Sequence, residues 1–296
     1  MVSKMAFIGG DLRMPESARF ARNKCDVLSV YGFDKYEYCY ECFGINQEKT
    51  LETALLGAEI VVLGLPCSAD GRTVYAPYCS KEISFEQLFK CLSPGCKFFC
   101  GKPFPELLNI AVHKDISCFD YFSREELTLK NALITVEGAL QTAMQETPYT
   151  LHGSNCLVLG YGRIGKMLSS ALLKLGAKVS CTARKTCDLA LMECNNITPV
   201  HTNDIATVIS SYNIIFNTIP DCILNESILT FVRDNTLIID LASKPGGVDF
   251  ECARRMGLKV IWATALPGKV APETSGKIIT ETIFNIISET EKGVKK

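Results

Sequence analysis

Short, mostly apolar runs alternate along this chain with stretches whose apolar residues recur every three or four positions. In the first half, residues 5–10, 26–33, 59–65, 97–100 and 117–122 have the first pattern, which predicts strands buried on both faces. Residues 15–23, 84–92 and 103–112 have the second, and 51–57 closes a further helix. Such alternation predicts a parallel sheet with helices on both sides. The stretch 67–81, rich in Gly, Pro, Ser and Tyr, breaks the rhythm. It follows the carboxyl end of a predicted strand, where open α/β sheets bind ligands, and this makes Ser68 a candidate contact.

Ser123-Arg-Glu-Glu126 has the form of a capping box, and a helix is expected from there to about residue 145, with Ile134-Thr-Val136 and Gly138 as weak points. Strands are then expected at 155–159, 178–182, 212–218, 236–241 and 259–263, with helices at 164–175, 225–231 and 249–256. A last amphipathic helix, 276–291, puts Ile278, Ile279, Ile283, Ile286 and Ile287 on one face. The expected organisation is a first domain at 1–125, a connecting helix at 126–150 and a second domain at 151–272. Residues 273–296 would pack back on the first domain.

The strand at 155–159 runs into Gly160-Tyr161-Gly162-Arg163-Ile164-Gly165 and then a helix. This is the G-x-G-x-x-G spacing in its required strand–turn–helix context. Gly160 permits the tight turn, Gly162 lets a pyrophosphate approach the backbone, and Gly165 lets helix pack on strand. The helix N-terminus offers free N–H groups and partial positive charge to phosphates. About 20 residues on, NAD sites place an acid for the ribose hydroxyls. Here Ala183-Arg184-Lys185 offers two cations instead, which points to NADP, with NAD the less favoured alternative.

With 296 residues, 47% hydrophobic, the chain is long enough for about two domains. A net charge of −1 without a basic block argues against a nucleic-acid partner. The absence of a long apolar run argues against a membrane span, and a start without an apolar leader suggests the cytoplasm. The 15 cysteines are odd in number and fall partly inside strand-like runs, so reduced, buried thiols are expected. Cys39-Tyr-Glu-Cys42 is a lone C-x-x-C, and with three histidines at no ligand spacing no metal site is expected.

Other candidates lie at predicted strand ends. Asn217-Thr218-Ile219-Pro220 and Leu241-Ala242-Ser243, before Lys-Pro-Gly-Gly247, would line the cofactor. Leu266-Pro267-Gly268-Lys269 follows the last strand, and Lys269 is either a cation for an anionic substrate or a solvated hinge residue. In the first domain Arg13 could hold a carboxylate beside Asp11, or Asp11 could merely cap a helix with Arg13 on its surface. Thr135 and Glu137, with Asn131, partly share a helix face, and Glu137 is a candidate base.

Taken in order, Gly9-Gly-Asp-Leu-Arg13, Thr135-Val-Glu-Gly138, His152-Gly-Ser154, the glycine turn, Asn217-Thr-Ile-Pro220, Ile239-Asp-Leu-Ala-Ser-Lys-Pro-Gly-Gly247 and Leu266-Pro-Gly-Lys-Val-Ala-Pro272 resemble the A-subunit family of bacterial dipicolinate synthase. The layout is more distantly similar to D-2-hydroxyacid dehydrogenases and adenosylhomocysteinase. The resemblance implies an α/β protein of two Rossmann-like, doubly wound parallel-sheet domains with an interdomain cleft. It implies oxidation of dihydrodipicolinate to pyridine-2,6-dicarboxylate, with hydride passing to NADP⁺, in the mother-cell cytoplasm of a sporulating bacterium. It further implies a second, flavoprotein-like dipicolinate synthase polypeptide (the B component) as partner, and a homo-oligomer. Two rival readings stay open: another two-domain NAD(P) dehydrogenase acting on a small carboxylate, or a non-catalytic NADP-binding polypeptide of a complex. No histidine follows the last strand, which counts against a hydroxyacid dehydrogenase.

Overall fold

The computed structural model describes residues 2–293. The first six strands are β1 (Val2–Ile8), β2 (Cys25–Tyr31), β3 (Asn46–Gln47), β4 (Ile60–Leu63), β5 (Lys97–Cys100) and β6 (Ser117–Asp120). They form one parallel sheet in the order β3-β2-β1-β4-β5-β6. Helices α1 (Arg13–Ala21), α2 (Leu51–Leu55), α3 (Phe85–Cys91) and α4 (Pro105–His113) connect them, and α5 (Glu125–Glu146) follows.

The next six strands are β7 (Asn155–Leu159), β8 (Lys178–Ala183), β9 (Thr198–His201), β10 (Ile214–Asn217), β11 (Leu237–Asp240) and β12 (Lys259–Trp262). They form a second parallel sheet in the order β12-β11-β10-β7-β8-β9. Its helices are α6 (Arg163–Lys174), α7 (Thr186–Cys194), α8 (Ile205–Val208), α9 (Glu226–Leu229), α10 (Phe250–Arg255) and α11 (Leu266–Val270), and α12 (Pro272–Gly293) ends the chain's described part. In each sheet the first strand lies at the centre. The chain winds outward on one side and then on the other, so the order reverses between β1 and β4 and again between β7 and β10.

The chain divides into two compact units: residues through Asn131 together with those from Ala271, and residues Ala132–Val270. In the second, side chains alternate between two cores, as strand pleating requires. Cys156, Val158 and Phe216 face one core with Val136, Ala139 and Ala143 of α5. Leu157, Leu159 and Ile215 face the other with Ile205, Leu229 and Cys252. α5 stays helical through Gly138, and the missing side chain there allows close packing: a Cβ would lie 3.0 Å from the Leu266 Cβ. Lys259 closes the helix's far end, its Nζ donating to the Glu146 carbonyl at 2.9 Å and pairing with that carboxylate at 2.7 Å.

In the first unit α12 lies on α1. Gly276 makes this possible, because a Cβ there would meet the Ser17 nitrogen at 2.6 Å. The Thr280 hydroxyl donates to the Ser17 carbonyl at 2.8 Å, and Arg124–Glu289 and Lys130–Glu281 pairs tie the same helix down.

Four features depart from the sequence reading. The capping box at Ser123 does not form: its hydroxyl donates to the Asp120 carbonyl, and Glu126 pairs with Arg124. A complete box starts α3 instead, between Ser84 and Gln87. The segment holding α7, β9 and α8 carried no legible pattern; β9 includes Pro199, which a sheet tolerates at an edge, and β9 is an edge strand. Finally, Cys39 and Cys42 are joined as a disulfide rather than held as thiols. The intervening 3-10 turn at Glu41–Phe43 brings their Cα atoms to 5.4 Å, within bonding reach.

Candidate functional site

The carboxyl ends of β7, β8, β10, β11 and β12 carry the loops that the sequence marks. Gly160 has φ +94°, and its N–H donates to the Thr182 hydroxyl of the neighbouring strand at 3.0 Å. A Cβ at Gly160 would meet the Thr218 hydroxyl at 2.7 Å, and one at Gly165 would overlap the Gly160 carbonyl oxygen. Gly162 is different: a Cβ there would have nothing within 4 Å. Two of the three glycines are therefore demanded by packing, and the third faces open space at the N-terminus of α6. No side chain caps that helix, and its first turn holds no acid. Tyr161 and Ile164 are half-buried around the turn and Arg163 is exposed, with the Lys166 ammonium 5.1 Å from the Tyr161 ring centre.

At the end of β8, Ala183 is buried while Arg184 and Lys185 are exposed. Neither cation has a hydrogen-bond or ion-pair partner among the described residues. On the other side of β7, the Thr218 nitrogen and hydroxyl both donate to the Leu159 carbonyl, at 3.0 and 2.8 Å. Ile219 is half-buried and Pro220 exposed.

Next to them lies a polar node that joins two stretches the sequence marked separately, Asn217–Pro220 and Asp240–Gly247, without showing that they pair. Asn217 and Asp240 end adjacent strands, stand opposite each other in register, and are both fully buried. One Asp240 oxygen accepts from Asn217 Nδ2 at 2.8 Å and from the Ala242 nitrogen at 3.0 Å; the other accepts from the Gly247 nitrogen at 2.8 Å. The signal in the sequence was an acid closing the otherwise apolar run Leu237–Asp240. Leu241 and Ala242 are buried behind the node and Ser243 is exposed. Residues 266–270, which follow the last strand, form α11, with Pro267 and Gly268 buried and Lys269 exposed.

In the first unit, the turn after β1 is packed shut. A Cβ at Gly10 would overlap Met14 Cγ, and one at Gly64 would meet the Gly10 Cα at 2.7 Å. Arg13 is only 4% exposed. Its Nε and Nη2 donate to the two Asp11 oxygens at 2.8 and 2.7 Å, and Nη2 also donates to the Leu65 carbonyl. Burial works against this guanidinium's charge, but the bonds to Asp11 and its negative charge outweigh it and the pKa is raised. Arg13 thus lies in the interior, not on the helix surface, and α1 begins without a side-chain cap. The neighbouring Tyr121 hydroxyl donates to the Leu63 carbonyl at 2.9 Å, and full burial pushes that phenol far up.

The Ser68 hydroxyl donates to the Thr73 carbonyl at 2.6 Å and accepts from the Gly71 nitrogen at 2.9 Å, inside a turn built around Asp70. On α5, Thr135 is buried and Glu137 exposed, so the two point to different sides of that helix.

The strand orders, with a glycine turn at one reversal point, define a class: two-unit, doubly wound α/β proteins with a Rossmann-type turn. Residues 4–122 match the family described as the N-terminal domain of the dipicolinate synthase A-subunit. The chain is 32% identical over 289 residues to the dipicolinate synthase A-subunit of Bacillus subtilis (strain 168), covering 97% of each. The crystal structure of dipicolinate synthase A chain from B. subtilis superposes with a TM-score of 0.85 at 31% identity, over 99% of this chain and 98% of that one. This chain belongs to the A-subunit family of dipicolinate synthase. A transhydrogenase from Sinorhizobium meliloti shares the fold alone, with a TM-score of 0.70 at 15% identity over 95% of this chain and 92% of that one.

Proposed function

We propose that this chain is the hydride-transferring polypeptide of a dipicolinate synthase. It oxidises dihydrodipicolinate to dipicolinate with NADP⁺, together with a second polypeptide, in the cytoplasm of a sporulating cell. The observation that carries the reading is the open Gly162 above the uncapped start of α6, beside the unpaired Arg184 and Lys185. These residues fit a dinucleotide. Free N–H groups at α6 suit the pyrophosphate, and two cations at the end of β8 suit a 2′-phosphate, where NAD would ask for an acid. The loops at 217–220, 241–243 and 267–268 complete the surround.

When bound, the oxidised nicotinamide supplies the hydride acceptor. Aromatisation favours the reaction, so the chain has to orient the ring and take up one proton. In this reading Lys269 draws a substrate carboxylate, and Glu137 takes the proton. Thr135 lies on the same helix as Glu137, while Asp11 and Arg13 are held by each other inside the first unit. Replacing Lys269 with Met should raise the substrate KM and leave NADP⁺ affinity unchanged.

The direct test mixes the purified chain with fresh dihydrodipicolinate and NADP⁺ or NAD⁺, with and without the second polypeptide, and follows reduced nicotinamide and dipicolinate together. Faster turnover with NADP⁺ is expected. Dinucleotide binding without either product, even with the partner present, would defeat the substrate assignment.

A further inference from the structure

The buried Asn217–Asp240 pair has no counterpart in what packing alone requires. Every other position of β10 and β11, Ile214 to Phe216 and Leu237 to Ile239, is a buried apolar residue. Placing a carboxylate and an amide there costs desolvation unless every lone pair and proton is met. Both Nδ2 protons find acceptors and each of the three oxygens accepts at least one bond, mostly with backbone groups of two loops. Asn217 Nδ2 donates to the Ile219 carbonyl at 2.9 Å, and the Ile219 nitrogen donates to Asn217 Oδ1 at 3.1 Å, so the amide holds the 217–219 backbone from both ends. Asp240 reinforces that orientation of the amide, because its oxygen takes Nδ2 at 2.8 Å and would repel Oδ1. Its second oxygen holds Gly247, where a Cβ would overlap Asn217 Nδ2.

The chain of contacts is continuous. It runs from the Gly160 turn through Thr218 to Asn217, then through Asp240 to the Lys244–Gly247 loop.

We infer that Asp240 is a positioning residue for the dinucleotide. It touches no ligand itself, and it orients Asn217 so that the Thr218–Pro220 backbone is held against the glycine turn. The inference rests on the proposed function's placement of a dinucleotide in this unit. The chain also carries its own reporter. Its single tryptophan, Trp262, donates from Nε1 to the Ala242 carbonyl at 3.0 Å, and the Ala242 nitrogen donates to Asp240.

The test is Asp240→Asn. An amide at 240 offers one acceptor oxygen where two are used, and it turns an NH₂ toward a donor. The expected result is a Kd for NADP⁺ raised about tenfold or more, as loss of a hydrogen bond to a charged group implies. Trp262 emission in the nucleotide-free protein should shift, with circular dichroism unchanged. Ile238→Val, in the same strand but in the apolar core, should lower Tm and alter neither Kd nor emission. An Asp240→Asn protein that binds NADP⁺ like wild type overturns the inference and leaves the proposed function standing. A wild type that binds neither NADP⁺ nor NAD⁺ overturns both. If Asp240→Asn fails to fold, Gly247→Ala presses on the same amide from the other side, and unchanged affinity there overturns the inference equally.

Discussion

The two sheets share one strand order, yet their reversal points are built oppositely. Between β7 and β10 the turn ends in open space above Gly162, and Arg184 and Lys185, just after β8, have no side-chain partner among the described residues. Between β1 and β4 the corresponding turn is filled: Met14 sits under Gly10, and the Arg13 guanidinium is spent on Asp11 and the Leu65 carbonyl. The same topology therefore gives an open turn in one unit and a plugged one in the other. What separates them is a few residues after the first strand, Gly-Tyr-Gly-Arg-Ile-Gly against Gly-Gly-Asp-Leu-Arg. A topological switch point is an opportunity for a ligand, and local side chains decide whether it is taken.

The comparison can be broken at four places. Arg13→Ala should do the most damage, costing about 3–5 kcal/mol in a denaturant melt because it strands a largely buried Asp11. Replacing both Asp11 and Arg13 with apolar residues of similar volume should cost much less. If the single and double variants are equally unstable, the plug is not an ion pair in the energetic sense. Gly162→Asp should leave folding intact, since the site has room for a side chain, and should oppose the pyrophosphate. Like charges about 4 Å apart cost about 4 kcal/mol at an effective dielectric of 20, roughly halved by solvent here, so the Kd for NADP⁺ should rise ten- to a hundredfold. Isothermal titration decides it.

A narrower effect is expected from Arg184→Ser, which should reduce the preference for NADP⁺ over NAD⁺ about tenfold by removing one charge-assisted contact, read as a ratio of two Kd values. The smallest effect concerns acid stability. Backbone N–H groups of Thr73 and Arg72 hold the exposed Asp70 carboxylate well below its ordinary range. A depressed folded value means that its contribution is present above the ordinary carboxylate pKa and fades as pH falls through the folded one. Asp70→Asn should therefore lower Tm slightly at neutral pH and converge with wild type in strong acid.

The sequence made the two sheets legible because parallel strands buried on both faces must be apolar, as β4 is throughout and β10 and β11 are up to their last residues. It made the glycine turn legible because the spacing carries its own geometry. The plug was harder to see. Asp11 and Arg13 are two residues apart, and nothing in that spacing says whether a guanidinium faces a ligand, solvent or its own neighbour. Burial settles that, and burial of Arg13 depends on Leu65, far away in sequence. The Asn217–Asp240 node was hidden for the same reason, since register between strands brings its partners together. Weakly patterned pieces such as α7 and the edge strand β9 gave no periodic signal, and α11 is only five residues long.

The seating of α12 on α1 has a consequence for synthesis on the ribosome. The second unit is complete in sequence at Val270, whereas the first needs residues beyond Ala271. The unit encoded first is therefore the one finished last. Nascent chains fold by whole units as they emerge, so the inserted unit reaches its native form while α1 still waits for Gly276 and Thr280. A premature stop near residue 272 should spare the later-encoded unit and leave the earlier one exposed to proteases.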